Sequence, residues 1–430
     1  MAAYFLLLLI MALPHGMHTA LVPNSPPCTP QHACSLLPLA TNDQITSYFG
    51  SADAAFIAKR AHEIVAQHDW GHISTWPFWP PGMVAIETFL YWISSDMPVA
   101  LILILLSCAL WSWLAAELSC TAASYGASRL LALLLPLALF FNQGFFYFLR
   151  TGLFYSESLS IAGFLMAIGA LCKAHRQEKT ALAWQAGAWF AFSAYMRAQT
   201  DMVMNIVLLL WCTAVIFKTL WRDRSLYLRS IKNTLVATPW LKVTAIALLA
   251  FQLLTLPYRA AHDMHWIAYT DNPMWWANWQ REAELTPDLN FYRISGALAG
   301  CNVDPVLCDQ IHTNISHGVT YTNHEYYLLA MQTLMHHPLK WMEYKWPYMR
   351  DFWFDGSVEM VVITGLLVFL LWCYAKKPRP IPTIMLLSTV IAVWGPLVII
   401  HIETRYLYQL TLTILYIAII SAVQPPEQSS

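Results

Sequence analysis

Residues 51–92 read SADAAFIAKRAHEIVAQHDWGHISTWPFWPPGMVAIETFLYW, a run of acids, bases, histidines and tryptophans set between long apolar stretches. Whether its last part, 82–93, crosses a bilayer or lies along its surface decides the topology of the chain. That part is short, contains Glu87, follows Pro80-Pro81 and ends at Ser94-Ser95-Asp96. A crossing helix needs roughly 20 apolar residues to span ~30 Å of hydrocarbon, so we read 82–93 as an interfacial helix. Just upstream, Asp53 to Ala66 has the pattern of an amphipathic helix. Phe56 and Ile57 fall on the side of Asp53 and Arg60, which lie seven positions apart and nearly eclipse one another.

The rest of the chain has the composition of a membrane protein. Hydrophobic residues make up 58% of the 430 and charged residues 11%, with a mean hydropathy of +0.47, far from the balance of a soluble domain. The fold class expected is an all-α polytopic membrane protein with interfacial helices and two large extracytoplasmic loops. About ten transmembrane helices follow from the length rule, near 4–21, 97–116, 130–149, 158–172, 181–196, 202–218, 240–257, 358–375, 381–400 and 406–423. Pro136 interrupts the third, and the fourth is short unless it begins inside the loop before it. Three regions result: an N-terminal transmembrane module over 1–257 with its first extracytoplasmic loop at 22–96, a second large loop over 258–355, and C-terminal transmembrane helices over 356–430. Met1 to Ala20 has no Lys or Arg ahead of its apolar run and is read as a retained span, not a cleaved signal peptide.

The net charge of −1 is uninformative, but the placement of the bases orients the chain, because short cytoplasmic loops retain Lys and Arg. Three connections are basic: Lys173 to Lys179, Lys218 to Lys232, and Lys376-Lys377-Pro378-Arg379. Placing all three inside puts the loops at 142–157, 197–201, 258–355 and 401–405 on the opposite side, and 22–96 joins them if 82–93 is interfacial. Cys28 with Cys34 and Cys301 with Cys308 then flank short outside segments, compatible with two local disulfides, while the other five of nine cysteines fall in spans or near the inner face.

Several ionisable residues sit beside apolar spans, where charge must be paired, hydrated or functional. Arg150 and Glu157 bracket one outside loop, Arg197 and Asp201 another, and His401-Ile402-Glu403-Thr404-Arg405-Tyr406 forms a third group. A single member reads as a helix-end anchor; their convergence with Asp53 on one face reads as a site. His68, Asp69 and His72 lack metal-ligand spacing. In the second large loop, Thr322-Asn323-His324-Glu325 has the form of a capping box, opening a helix with Tyr326, Leu329, Ala330 and Leu334 on one side and a stop before Pro338. Lys340 to Phe354 mixes Trp, Tyr, Lys and Arg and is expected to lie on the bilayer at the mouth of the site.

In segment order the chain resembles the GT-C superfamily of integral-membrane glycosyltransferases. The matching elements are a first span, an acidic outside helix (Asp53), Pro80-Pro81, an interfacial helix (Met83 to Ile93) ending in Ser95-Asp96, Ser156-Glu157 entering a later span, and a late acid-x-Arg-Tyr at Glu403 to Tyr406. It departs from that pattern in having Ala54 where a second acid often follows the first, and Gly82-Met83 after the proline pair.

The resemblance implies transfer of a hexosyl or pentosyl group from a polyprenyl-phosphate-linked donor to a glycan, lipid or protein acceptor, for cell-envelope glycan biosynthesis. The setting implied is a bacterial inner membrane with the active site facing the periplasm, membrane lipids as partners and no nucleic acid. Asp53 is then the general base of an inverting displacement. Arg405 and Arg197 are the first candidates for the donor phosphate, with Arg60 and Arg150 behind them. Glu157 is placed in binding acceptor hydroxyls, in orienting Arg150 or in helping to hold a divalent cation, His401 and Glu403 in donor-phosphate or substrate binding, and Tyr406 positions Arg405 or touches the phosphate. A divalent cation, Mg or Mn, is compatible with this set. The competing class is a transporter or a lipid or glycan flippase, which tends to carry charge at mid-membrane in two related halves; a noncatalytic scaffold is the third.

Overall fold

The computed structural model describes residues 1–21, 52–73, 81–93, 99–124, 126–142, 145, 156–223, 227–261, 273–281, 296–353, 358–398 and 405–423. All regular structure among them is helical. In chain order the helices are α1 (Ala2–Leu21), α2 (Ala52–Gln67), α3 (Pro81–Ile93), α4 (Val99–Ser124), α5 (Arg129–Leu134), α6 (Leu137–Phe140), α7 (Ser156–Gln177), α8 (Thr180–Met196), α9 (Ala198–Asp223), α10 (Leu228–Ala237) and α11 (Pro239–Ala261). There follow α12 (Ala299–Val303), α13 (Pro305–Ser316), α14 (Asn323–His336), α15 (Pro338–Trp353), α16 (Val358–Lys376), α17 (Pro380–Leu397) and α18 (Arg405–Val423).

Five of these are long and apolar enough to cross a membrane: within α4, α9 and α11, and the whole of α7 and α17. Ala2–Ala12, Met360–Lys376 and Leu407–Val423 are shorter apolar helices, and Arg129–Phe140 is a short apolar stretch made of α5 and α6. The stretch expected as one span over 130–149 is not continuous, because Leu135 and Pro136 form a turn between α5 and α6. Proline has no amide hydrogen to give the preceding turn and its ring crowds the carbonyl four residues back. Conversely, the span expected at 158–172 starts at Ser156 and runs to Gln177. The second large loop is itself helical, from α12 to α15.

The hairpin of α7 and α8 forms the centre of the bundle. Small residues let its backbones approach: Ser160 and Ser193 exchange hydroxyl-to-carbonyl hydrogen bonds of 2.9 and 2.7 Å. On the other side of α8, a Cβ at Gly187 would press into the Ala250 methyl and lie 2.5 Å from the Ala247 carbonyl oxygen of α11. Membrane helices associate through such small-residue contacts, since apolar burial does not distinguish protein from lipid tails. The capping box is present at α14, with Thr322 accepting from the Glu325 amide and the Glu325 carboxylate accepting from the Thr322 amide. Ala330 is buried, and Tyr326, Leu329 and Leu334 pack around Trp279, Ala299, Ile311 and Trp341 in a small core of their own.

The three basic connections lie at one end of the bundle. Lys173 of α7 pairs with Glu117 of α4, Tyr416 of α18 lies against Gly169 of α7, and the Tyr374 hydroxyl of α16 is 2.5 Å from that of Ser421 on α18. From Arg197, α9 runs back toward the start of α8, bringing Lys218 to the same end, where its ammonium sits 5.8 Å from the Trp240 ring.

Candidate functional site

The opposite end collects buried charge. Glu157 lies in the first turn of α7, and Arg197 is the one-residue break between α8 and α9. Their side chains meet, Arg197 Nη2 to Glu157 Oε1 at 3.0 Å, with 10% and 4% of each exposed. The approach is oblique, so Oε1 takes no aligned hydrogen bond and the contact is chiefly one of charge. Four residues on, Asp201 accepts from Arg259 Nη2 of α11 at 2.5 Å, with 2% and 9% exposed. The sequence treats Arg197 and Asp201 as two ends of a loop; Arg197 is instead the single extended residue before α9 and Asp201 lies in the first turn of that helix, each bound to a different neighbour. A hydroxyl contact of 2.7 Å between Ser193 and Thr200 locks the break. Two buried acid–guanidinium pairs therefore stand side by side on α7, α8, α9 and α11, with formal charges that cancel.

The α2–α3 pair is seated against this end by Gly82. A Cβ there would lie 2.6 Å from the Tyr195 carbonyl oxygen and 2.6 Å from the Met196 methyl, so the first turn of α3 rests directly on the last turn of α8. At 13 residues α3 is roughly 20 Å long at 1.5 Å per residue, too short for a crossing. It presents Phe89, Trp92 and Ile93 outward while Met83, Val84, Glu87, Thr88, Leu90 and Tyr91 are buried. The facing stripe of α2 is Ile57, Ala58, Ala61 and Ile64, and His62 meets Tyr91 edge to face at 5.7 Å.

Glu87 lies within this buried face. Neither carboxyl oxygen has a hydrogen-bond partner, and burial drives its pKa well above the usual carboxylate range. It is held as the neutral acid, because an unpaired anion away from water is far more costly than a bound proton.

The third component is α15. Trp341, Lys345, Met349 and Trp353 recur every four residues and are all buried, so this helix is docked on the bundle by one stripe. Trp341 Nε1 donates to the Val398 carbonyl just past α17 at 2.6 Å, and Trp353 packs on Trp394 at 5.2 Å. Lys345 lies between these anchors, and burial pushes its ammonium down to about 7. The small core behind α15 carries the disulfide Cys301–Cys308. Those two sulfurs and His312 form the one cluster of three potential metal ligands among the described residues. Both thiols are used in the bond, and His312 Nε2 contacts the Trp279 carbonyl at 2.7 Å, so the residues do not fit a cation.

Of the candidates named from sequence, Glu157 and Arg197 are brought together. Arg60 turns to Glu63 on its own helix at 3.5 Å. Asp53 occupies the first turn of α2, in register with Ile57 and Arg60, and Arg405 and Tyr406 open α18; for these three the backbone alone is described. Arg150, His401 and Glu403 lie outside the described residues, as do Cys28 and Cys34. Arg259, Glu87 and Lys345 belong to the same end but were not singled out as site residues. The available signal was an ionisable side chain embedded in an apolar or aromatic helix.

No protein-family model matches the chain, and a search of curated proteins returns no match.

Proposed function

We propose that the protein is an integral-membrane glycosyltransferase with about ten spans, moving a sugar from a polyprenyl-phosphate donor to an acceptor hydroxyl on the side away from the basic connections. The observation that carries this reading is the pair of buried acid–guanidinium contacts at one end of the bundle, beside the α2–α3 unit that bears Asp53. The excess of Lys and Arg at the other end supports an inside location for that end. The Cys301–Cys308 disulfide supports an oxidising compartment such as the periplasm for the site.

In the reaction, Asp53 takes the proton of the acceptor hydroxyl as its oxygen attacks the anomeric carbon. The bond from that carbon to the phosphate oxygen breaks, and the polyprenyl phosphate leaves with both electrons. Charge then develops on the phosphate and has to be met by fixed donors. Because Glu157 and Asp201 already neutralise Arg197 and Arg259, these pairs position donors without supplying net charge. We assign the net positive charge to Arg405, with Tyr406 holding it. His401 and Glu403 contact the sugar hydroxyls or, with Glu157, a divalent cation.

The test is transfer by membranes containing the protein against a panel of prenyl-phosphate sugars, with Asp53→Asn and Arg405→Gln compared at equal expression. Loss of transfer in both supports the reading, and unchanged transfer in Asp53→Asn removes Asp53 as the base. Absence of transfer with every donor, together with movement of a labelled solute or glycolipid across vesicles, replaces it with the transporter or flippase.

A further inference from the structure

At the basic end, α16 and α18 part around a cavity of about 690 Å³, within the roughly 300–1,000 Å³ typical of small-molecule sites. Leu366 and Phe369 of α16, Ile419 of α18 and Leu135 from the turn after α5 give it apolar walls. Phe369 and Trp372 are 54% exposed, so the cleft opens sideways, toward where lipid tails would lie. Its rim carries Lys376, Lys377 and Arg379, and no Asp or Glu lines it among the described residues.

Two of these cations are already held in place. The Lys376 ammonium lies 3.9 Å from the centre of the Trp372 ring, and Arg379 Nη1 donates to the Ser421 carbonyl at 3.2 Å. Holding them spares part of the side-chain entropy that binding an anion would otherwise cost.

We propose that this cavity binds one anionic phospholipid of the surrounding bilayer, its acyl chain in the apolar cleft and its phosphate at Lys376, Lys377 and Arg379. An apolar slot beneath three cations fits an amphiphile with a negative head, and basic pockets between membrane helices recognise such head groups. A zwitterionic head group brings its own cation to the same rim and gains less. The inference is independent of the proposed transferase activity, which resides at the other end.

The experiment is native mass spectrometry of the full chain released from neutral detergent after incubation with equal phosphatidylglycerol and phosphatidylcholine. One phosphatidylglycerol is expected to be retained in preference. Each cation removed should lower its retention about fivefold, read in Lys377→Gln and in the triple variant Lys376→Gln/Lys377→Gln/Arg379→Gln. The single exposed change serves if the triple variant does not fold. Ala422→Trp fills the cleft and leaves the cations, and should abolish retention of either lipid.

Equal retention of the two lipids by the unaltered protein overturns the proposal. Unchanged retention in Ala422→Trp does so too, by moving the head group to an open surface. Preference for a polyprenyl phosphate over phosphatidylglycerol would assign the cavity to a lipid-linked substrate and end the proposal as stated.

Discussion

Removing one member of the Glu157–Arg197 pair should unsettle the whole non-basic end of the bundle. At 3.0 Å and an effective dielectric of about 20, the two charges attract by about 5.5 kcal/mol. With 10% and 4% of the side chains exposed, neither gains much hydration when its partner is lost. Breaking a buried pair from one side costs about 3–5 kcal/mol. Glu157→Gln leaves a buried guanidinium that cannot discharge and has lost this carboxylate, so it should cost that amount at neutral pH. Arg197→Met leaves the Glu157 carboxylate buried without this guanidinium and should cost a comparable amount. The double variant should lose less than the sum of the two, by about 1.5 kcal/mol or more. The assay is reversible unfolding in mixed detergent micelles, followed by tryptophan fluorescence, for the protein and the three variants. Additivity within about 0.5 kcal/mol would refute the pairing.

Glu87 should make folding stability fall as the pH rises. Its folded pKa lies well above the usual range, so the folded chain keeps a proton that the unfolded chain releases above about 4.3; that contribution is complete below this value and is lost as the pH rises through the raised pKa. Glu87→Gln should abolish the alkaline loss in melting curves, and a wild-type slope in that variant would contradict the buried neutral acid. Lys345 acts in the opposite sense: with its ammonium pushed down to about 7, the unfolded chain binds more protons between there and the ordinary 10.5. Stability gains from this residue across that window and not below it. Lys345→Met should raise the melting temperature at about pH 6 and flatten the rise above pH 7, so each variant must be read by difference from the unaltered protein. Gly82→Ala should destabilise by about 1–3 kcal/mol, through the clash with the Tyr195 carbonyl. Helix propensity alone predicts the reverse sign, up to about 1 kcal/mol of gain, so a stabilised Gly82→Ala would remove the tight seating of α3 on α8.

Hydrophobic run length and the distribution of Lys and Arg determined, from the sequence alone, that this is a helical membrane protein and which connections share an end. The capping box before α14 and the amphipathic stripe of α2 were also legible there, because both are read within one helical element. The length rule was less dependable where local chemistry cut across it. Pro136 divides one expected span, and Ser156 begins its helix early because Glu157 is buried against a partner 40 residues on. Pairing is a property of packing: that Arg197 goes to Glu157 and Asp201 to Arg259, though Arg197 and Asp201 lie four residues apart, follows from how α7 and α11 flank α8. Glu87 and Lys345 read as surface charges among aromatic neighbours until the helices close over them. Tertiary structure decided their burial, and burial decides whether each carries its charge.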